Sequence, residues 1–347
     1  MIHEPTAYLE IYLGPFLPSL QRPDVSDIYV NRPGEIWIET LGGAIERLEA
    51  PDATEAQLWR LARQIANITH QGINREHPLL AARLPDGARV QIVAPPATRG
   101  PMAIAIRKHV SANLSLADYD EKGAFANLRA EADEFREAEL RQLYKSADWS
   151  LFLAAAVRAR KTIVVAGGTS TGKTTFLNAL LREIDPAERL ILIEDTPELV
   201  LRHENAIGLV AVRGVLGEAS VTPDDLLLAS LRLRPDRIIL GELRGAEAFT
   251  FLRAINVGHP GSLTSIHADS PARAVEQLTL MALQSGAQLR RDDIARHVES
   301  AVDIFVQLER CDGKRRVSEV QWKAAERVGS GSNRQKLVPG EDSTSNE

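Results

Sequence analysis

The chain is short of the residues that build several common kinds of protein. Its 347 residues contain one cysteine, Cys311. That excludes an intrachain disulfide and a cysteine-based zinc site, and it fits a reducing compartment. Aromatic residues make up only 5% of the sequence, and the formal net charge is -6. Neither favours a stacking platform or a global attraction to nucleic acid or anionic lipid. Long apolar runs are also missing. Those around Leu151–Val157 and Leu226–Leu231 fall far short of the roughly 20 residues that cross a bilayer. The start carries Glu4 and Glu10 and no basic segment ahead of an apolar run, so it does not read as a signal peptide. The expected location is therefore cytosolic, with peripheral membrane attachment open. No internal repeat is visible.

At 44% hydrophobic and 25% charged, the composition is that of an ordinary globular protein, and the length allows about two domains. A helix is expected over Thr6–Leu13, followed by a break at Gly14-Pro15. Strand patterns then follow at Val25–Asn31, Glu35–Glu39 and Ala44–Leu48, separated by Arg32-Pro33-Gly34 and Leu41-Gly42-Gly43. Thr54 caps a helix with Leu58, Leu61, Ile65 and Ile68 at helical spacing. Ala88–Val93 and Met102–Arg107 read as further strands, closing a small α+β unit over 1–107. Residues 108–148 form a linker, with an exposed helix expected over Ala124–Tyr144. From Trp149 to about residue 328 strands and helices alternate, which implies a parallel sheet wrapped by helices. Thr222-Pro223-Asp224-Asp225 and Ser270-Pro271 open helices, and Asp312-Gly313-Lys314 marks a hairpin. Residues 329–347 are Gly/Ser/Asn-rich and expected to be disordered.

One stretch organises the rest. Gly167-Gly168-Thr169-Ser170-Thr171-Gly172-Lys173-Thr174 fits the phosphate-loop pattern, with an apolar strand before it and an amphipathic helix after it. Glycines let backbone N–H groups face phosphate oxygens, and the helix N-terminus adds its positive dipole end. Lys173 is placed to reach the β- and γ-phosphates of a nucleotide, and the Thr174 hydroxyl to hold Mg2+.

Three other stretches end apolar strands in chemistry-bearing residues. Arg237–Glu242 places Glu242 at a strand tip, where a carboxylate can polarise water or hold the Mg2+ shell. Leu192–Glu198 places Glu194 and Asp195 at another tip, where they can order metal-bound waters. Gly258–Ala268 ends a strand at His267. A parallel sheet gathers its strand C-termini on one edge, where ligands bind.

These motifs resemble the secretion-superfamily traffic ATPases, and among them the hexameric ATPase of type IV secretion and conjugation systems. The similarity runs over about residues 5–325 and rests on GGTSTGKTT at 167–175, IEDTPE at 193–198, RPDRIILGELRG at 234–245 and GHPGSLTSIHADSP at 258–271. GPFLPSL at 14–20 and NRPGEIWIE at 31–39 look like this branch rather than the pilus-retraction one. The resemblance implies a RecA-like P-loop motor domain with a parallel sheet after a small PAS-like α+β domain, and a homohexameric ring. It implies ATP and Mg2+, with nucleotide held along Gly167–Thr175 and metal near Thr174, Glu194 and Asp195. It makes Glu242 the catalytic carboxylate and His267 the couple between γ-phosphate and domain motion. Arg89 and Arg107 are then phosphate clamps from the N-terminal domain. Expected partners are inner-membrane and ATPase subunits of the machine, with only peripheral membrane contact and no stable nucleic-acid complex. A RecA-like DNA motor and a nucleotide-gated docking ring with little turnover remain the alternatives.

Overall fold

The computed structural model describes residues 4–109, 115–121, 123, 125, 131–212 and 217–325. The chain opens with helices α1 (Glu4–Tyr12) and α2 (Leu17–Gln21) and strands β1 (Val25–Val30), β2 (Gly34–Thr40) and β3 (Ile45–Ala50). Helix α3 (Glu55–Ile68) and strands β4 (Leu79–Arg83), β5 (Arg89–Val93) and β6 (Ala103–Arg107) follow. Helices α4 (Leu116–Glu121), α5 (Glu131–Lys145) and α6 (Trp149–Arg158) lead into β7 (Ile163–Gly167), α7 (Lys173–Leu181), β8 (Leu190–Glu194) and β9 (Ala206–Val210). The rest is α8 (Pro223–Ser230), β10 (Arg237–Leu243), α9 (Glu247–Asn256), β11 (Leu263–Ile266), α10 (Pro271–Leu283), α11 (Arg291–Ala301), β12 (Ile304–Cys311) and β13 (Lys314–Trp322).

Helices begin where side chains can satisfy orphan N–H groups. Thr54 accepts from the Gln57 amide, and Thr222 and Asp225 form a reciprocal capping box ahead of Pro223. Leu58, Leu61, Ala62 and Ile65 then fall on one buried face of α3.

Two sheets result. The first is antiparallel, in the order β3-β2-β1-β6-β5-β4. The second has the order β13-β12-β7-β11-β10-β8-β9, parallel throughout except for the terminal β12–β13 hairpin. β4 carries no clear alternation (Leu79-Leu80-Ala81-Ala82-Arg83), so it escapes the sequence pattern. As an edge strand it needs only β5 to define it.

The first sheet is buried on both faces. Ile28, Val30, Ile36 and Ile38 point to α1 and α3, whereas Tyr29, Trp37, Val93, Ala103 and Ala105 join a core that includes Ile191, Ile207 and Leu209 of the second sheet. Alternation along β1 and β2 thus sends one set of side chains into each core. Arg189 pins the contact. It is fully buried, its Nη1 donates to Asn31 Oδ1 (2.6 Å) and Asn205 Oδ1 (2.5 Å), its Nε donates to the Leu233 carbonyl (3.0 Å), and it lies 4.3 Å over the Tyr29 ring. Burial pushes its pKa down to about 10. Arg234 pairs with Glu39 across the same boundary.

The linker helix is exposed along most of its described length and buries one seam near its C-terminal end. Within Ala124–Tyr144, residues 124 and 126–130 lie outside the described residues. The described α5 keeps Phe135 exposed but packs Leu140, Leu143 and Tyr144 against α6 and Trp322. Tyr144 stands edge-on to Phe152 and Trp322, and its hydroxyl donates to the Val320 carbonyl at 3.0 Å. The few apolar residues of this helix sit at i, i+3 and i+4, which is enough to make one seam. The expected disordered tail, 329–347, lies outside the described residues.

Candidate nucleotide site

The parallel sheet brings the C-terminal ends of β7, β8, β10 and β11 to one edge, as strand alternation requires. β7 is a fully buried run that ends in Gly167, and the loop after it turns through Ser170 (φ 61°) and Gly172 (φ 96°) into α7. Gly172 is needed twice over. Its φ lies in the left-handed region, and a Cβ would sit 3.2 Å from Arg315 Cδ. Thr171 Oγ1 pins the loop by donating to the Gly168 carbonyl at 2.9 Å.

Lys173 sits at the floor, 9% exposed. Its Nζ donates to the carbonyls of Gly167 (3.1 Å) and Gly168 (3.2 Å) and lies 3.6 Å from Glu242 Oε1. Burial lowers the Lys173 pKa, and the Glu242 charge opposes that shift. Glu242 also receives His267 Nε2 on Oε1 (2.8 Å) and Arg244 Nε on Oε2 (2.5 Å). With Nε2–H donating to the carboxylate, His267 Nδ1 carries a lone pair toward the Lys173 ammonium at 3.4 Å. Arg244 also reaches Asp195 Oδ2 at 3.2 Å, and the hydrogen bond to Glu242 raises its pKa. On the opposite wall Thr174 Oγ1 donates to Glu198 Oε2 at 2.9 Å. These groups, with Thr169, Ser170, Gly172, Thr175, Glu194 and Arg315, line a cavity of about 460 Å3. Gly167, Gly168 and Thr171 shape the loop from behind.

The donor set fits a magnesium nucleotide. Mg2+ takes one or two protein oxygens together with substrate phosphates and waters, and the Thr174 hydroxyl with the neighbouring Asp195 and Glu198 supplies that chemistry. Among the described residues no three His, Cys, Asp or Glu side chains form a ready metal cage.

The family model described as type II/IV secretion system protein matches residues 13–342. The chain belongs to this family. It is 38% identical over 336 residues to the type IV secretion system protein VirB11 of Bartonella quintana, spanning 92% of this chain and 94% of that one. It is 39% identical over 325 residues to a PtlH homolog of Bordetella bronchiseptica, spanning 91% and 96%. Its fold matches a crystal structure of the VirB11 ATPase from the Brucella suis type IV secretion system, in complex with sulphate. That match has a TM-score of 0.86 and 36% identity, and covers 95% of this chain and 98% of that one. The fold class is accordingly that of the family, a RecA-like P-loop motor domain after a small PAS-like α+β domain.

Several family-derived expectations land elsewhere. Arg89 and Arg107 are not brought to the cavity within the chain. They face each other in the β5–β6 register, and Arg107 Nε pairs with Asp27 Oδ1 at 2.7 Å instead. The strand ends that carry them belong to the first sheet, and neither residue lines the cavity. Glu194, expected near the metal, lines the cavity but is only 5% exposed, with its carboxylate already engaged by the chain. Its Oε1 accepts from the amides of Glu198 (2.9 Å) and Leu199 (2.8 Å), and its Oε2 pairs with Arg99. It holds a turn, which leaves Glu198 as the acid bonded to Thr174 and Asp195 as the one bonded to Arg244.

Sequence reasoning passed over Arg244, Arg315 and Arg99. Arg244 had a signal, because it follows the end of β10 two residues after Glu242, where extended backbone would still send both side chains to one face. Arg315 had none. It comes from the β12–β13 hairpin, and its Nε reaches the Ser170 carbonyl at 3.1 Å.

Proposed function

We propose that the chain is an ATP-hydrolysing motor of a type IV secretion machine. On this reading it works as a homohexameric ring, peripheral at the inner face of the cytoplasmic membrane. It powers substrate translocation and pilus assembly beside the machine's inner-membrane subunits and its other ATPases. The observation that carries the enzymatic part is Glu242, which is held by Lys173, Arg244 and His267 at the mouth of a phosphate loop. The relatives' names support the machine.

The chemistry follows from the residues in place. The loop amides and Lys173 bind the β- and γ-phosphates, and when bound, Mg2+ neutralises charge that builds on the phosphate oxygens. Glu242 orients a water and accepts its proton as the water oxygen bonds to γ-phosphorus. The bridging P–O bond breaks, and ADP and phosphate leave. His267, hydrogen-bonded to Glu242, fixes the carboxylate's direction and gives it a link that changes when the proton arrives. Arg244 ties Glu242 to Asp195, so both acids move together.

The test is steady-state ATP turnover by the full chain, with Lys173→Ala alongside, and negative-stain imaging with and without ATP. Turnover that Lys173→Ala abolishes, by particles with six-fold rings, is the expected result. Turnover equal in both proteins removes the phosphate loop as the working site, and a protein that stays monomeric with ATP removes the ring.

A further inference from the structure

The connection between β5 and β6 reaches from the N-terminal sheet to Glu194, which lines the nucleotide site. After β5 the chain leaves its own sheet and runs along β9, the free edge of the other. The Val210 amide donates to the Ala97 carbonyl at 2.9 Å, the Arg99 amide donates to the Gly208 carbonyl at 2.8 Å, and Thr98 pairs antiparallel with Leu209. An edge strand offers such open groups, and here the other domain takes them.

Arg99 then crosses β9 at Gly208. A Cβ at Gly208 would lie 2.4 Å from Arg99 Cδ and 2.8 Å from Cγ, so the stem passes only because no side chain is there. Beyond the crossing, Nη1 donates to the Leu199 carbonyl at 2.7 Å and Nη2 pairs with Glu194. Glu194 holds the amides of Glu198 and Leu199, and Glu198 accepts from the hydroxyl of Thr174 in the phosphate loop. Every link from the N-terminal domain to the metal-side threonine is thus a hydrogen bond or an ion pair.

We infer that Arg99 is a positioning residue of the nucleotide site: it holds Glu194, and through it the 196–199 turn and the Glu198–Thr174 pair, only while the N-terminal sheet is docked on β9. The inference rests on reading the cavity as a magnesium-nucleotide site. It differs from a simple staple between domains. A staple changes stability, whereas a positioning residue changes how much Mg2+ tightens nucleotide binding. Half-burial lowers the Arg99 pKa, so placing the guanidinium there costs solvation.

The test is titration of the full chain with fluorescent mant-ADP, in Mg2+ and in EDTA. The affinity ratio between the two conditions is the readout. Arg99→Ala should cut that ratio on the order of tenfold, as outer-shell partners of metal sites do, and leave the EDTA affinity unchanged. Arg99→Lys should fall between, because the charge stays and the fork is lost. Gly208→Ala alters no charge but blocks the crossing, and should copy Arg99→Ala. In a Glu194→Gln background Arg99→Ala should add nothing. A normal ratio in both Arg99→Lys and Gly208→Ala overturns the inference, even if Arg99→Ala fails to fold. So does a parallel loss of affinity in EDTA. The underlying reading fails differently: wild-type protein that binds no mant-ADP, or binds it equally after Lys173→Ala, was never a nucleotide site.

Discussion

The two sheets handle charge in opposite ways. In the N-terminal domain several charged groups close on one another, while Glu39, Arg47, Arg75 and Arg99 pair across to the other domain. Arg22 meets Asp24 (2.8 Å) and Glu46 (2.9 Å), the buried Glu35 takes Trp37 Nε1 (2.9 Å) with Arg32 and Arg47, and Arg107 meets Asp27 (2.7 Å). At the loop edge of the parallel sheet, Lys173, Arg244 and His267 converge on Glu242. The first arrangement fixes a surface. The second gathers donors around one carboxylate beside a cavity, so an incoming polyanion finds partners already oriented. The chain's net charge of -6 therefore says little about its affinity for phosphate, which a local cluster decides.

The sharpest way to break the comparison is Lys173→Ala. Loss of this cation should reduce ATP turnover by at least about 10²-fold, the usual scale for one preorganised electrostatic group, while circular dichroism and the melting temperature change little. A variant that unfolds instead would place Lys173 with the structural charges, and turnover measured beside thermal melts decides.

Glu242→Gln comes next. The amide keeps the shape and can still face Arg244 and His267, but it cannot accept the water's proton. Hydrolysis should drop by ~10²-fold, in the range for losing a positioned base, with mant-ATP still bound. Loss of binding together with hydrolysis would make Glu242 an anchor for Lys173 rather than the base.

Arg189→Met tests the other half of the comparison. It removes a buried cation and leaves Asn31 Oδ1 and the Leu233 carbonyl without the guanidinium, while Asn205 Oδ1 keeps only the Asn31 Nδ2 donor at 3.0 Å. Urea unfolding should show a loss of about 2–3 kcal/mol, the scale of hydrogen bonds to a charged group. KM for ATP should stay put. A changed KM with normal stability would show that the inter-sheet contact feeds the nucleotide site through this arginine as well.

What could be read in advance follows the same division. The loop, its strand and helix, the acidic tips and His267 are local signals, because the chemistry needs specific residue types at fixed spacing beside a strand end. The parallel sheet follows from alternating strand and helix patterns. The arginines are different. Arg99, Arg189 and Arg315 look like surface cations in sequence, and only the path of the chain decides that Arg189 is buried or that Arg99 crosses a strand. Gly208 was the legible clue, since a glycine inside the apolar run Ala206–Val212 marks a close approach. Arg89 and Arg107 sit at family-like positions, but they pair in the β5–β6 register and neither lines the chain's own cavity.

The smallest expected effect is in pH. Burial holds the Lys173 pKa below its ordinary value of 10.5. In the unfolded chain that value is restored, so between the two pKa values the unfolded state binds more protons. Stability contributed by this residue therefore rises with pH there. Nucleotide binding has the opposite sign. Bound phosphate favours the ammonium and lifts its pKa, so binding takes up a proton in that window and affinity falls as pH climbs through the free-protein pKa. The fall cannot exceed about tenfold per pH unit for one proton. Mant-ADP in EDTA, titrated above about pH 8, avoids the phosphate's own titration near 6. Wild type should weaken before the ordinary lysine range is reached. Lys173→Arg should stay flat over the same range, because a guanidinium keeps its proton. A wild-type curve as flat as the arginine variant's would mean that the ammonium is not the group that reads the phosphates.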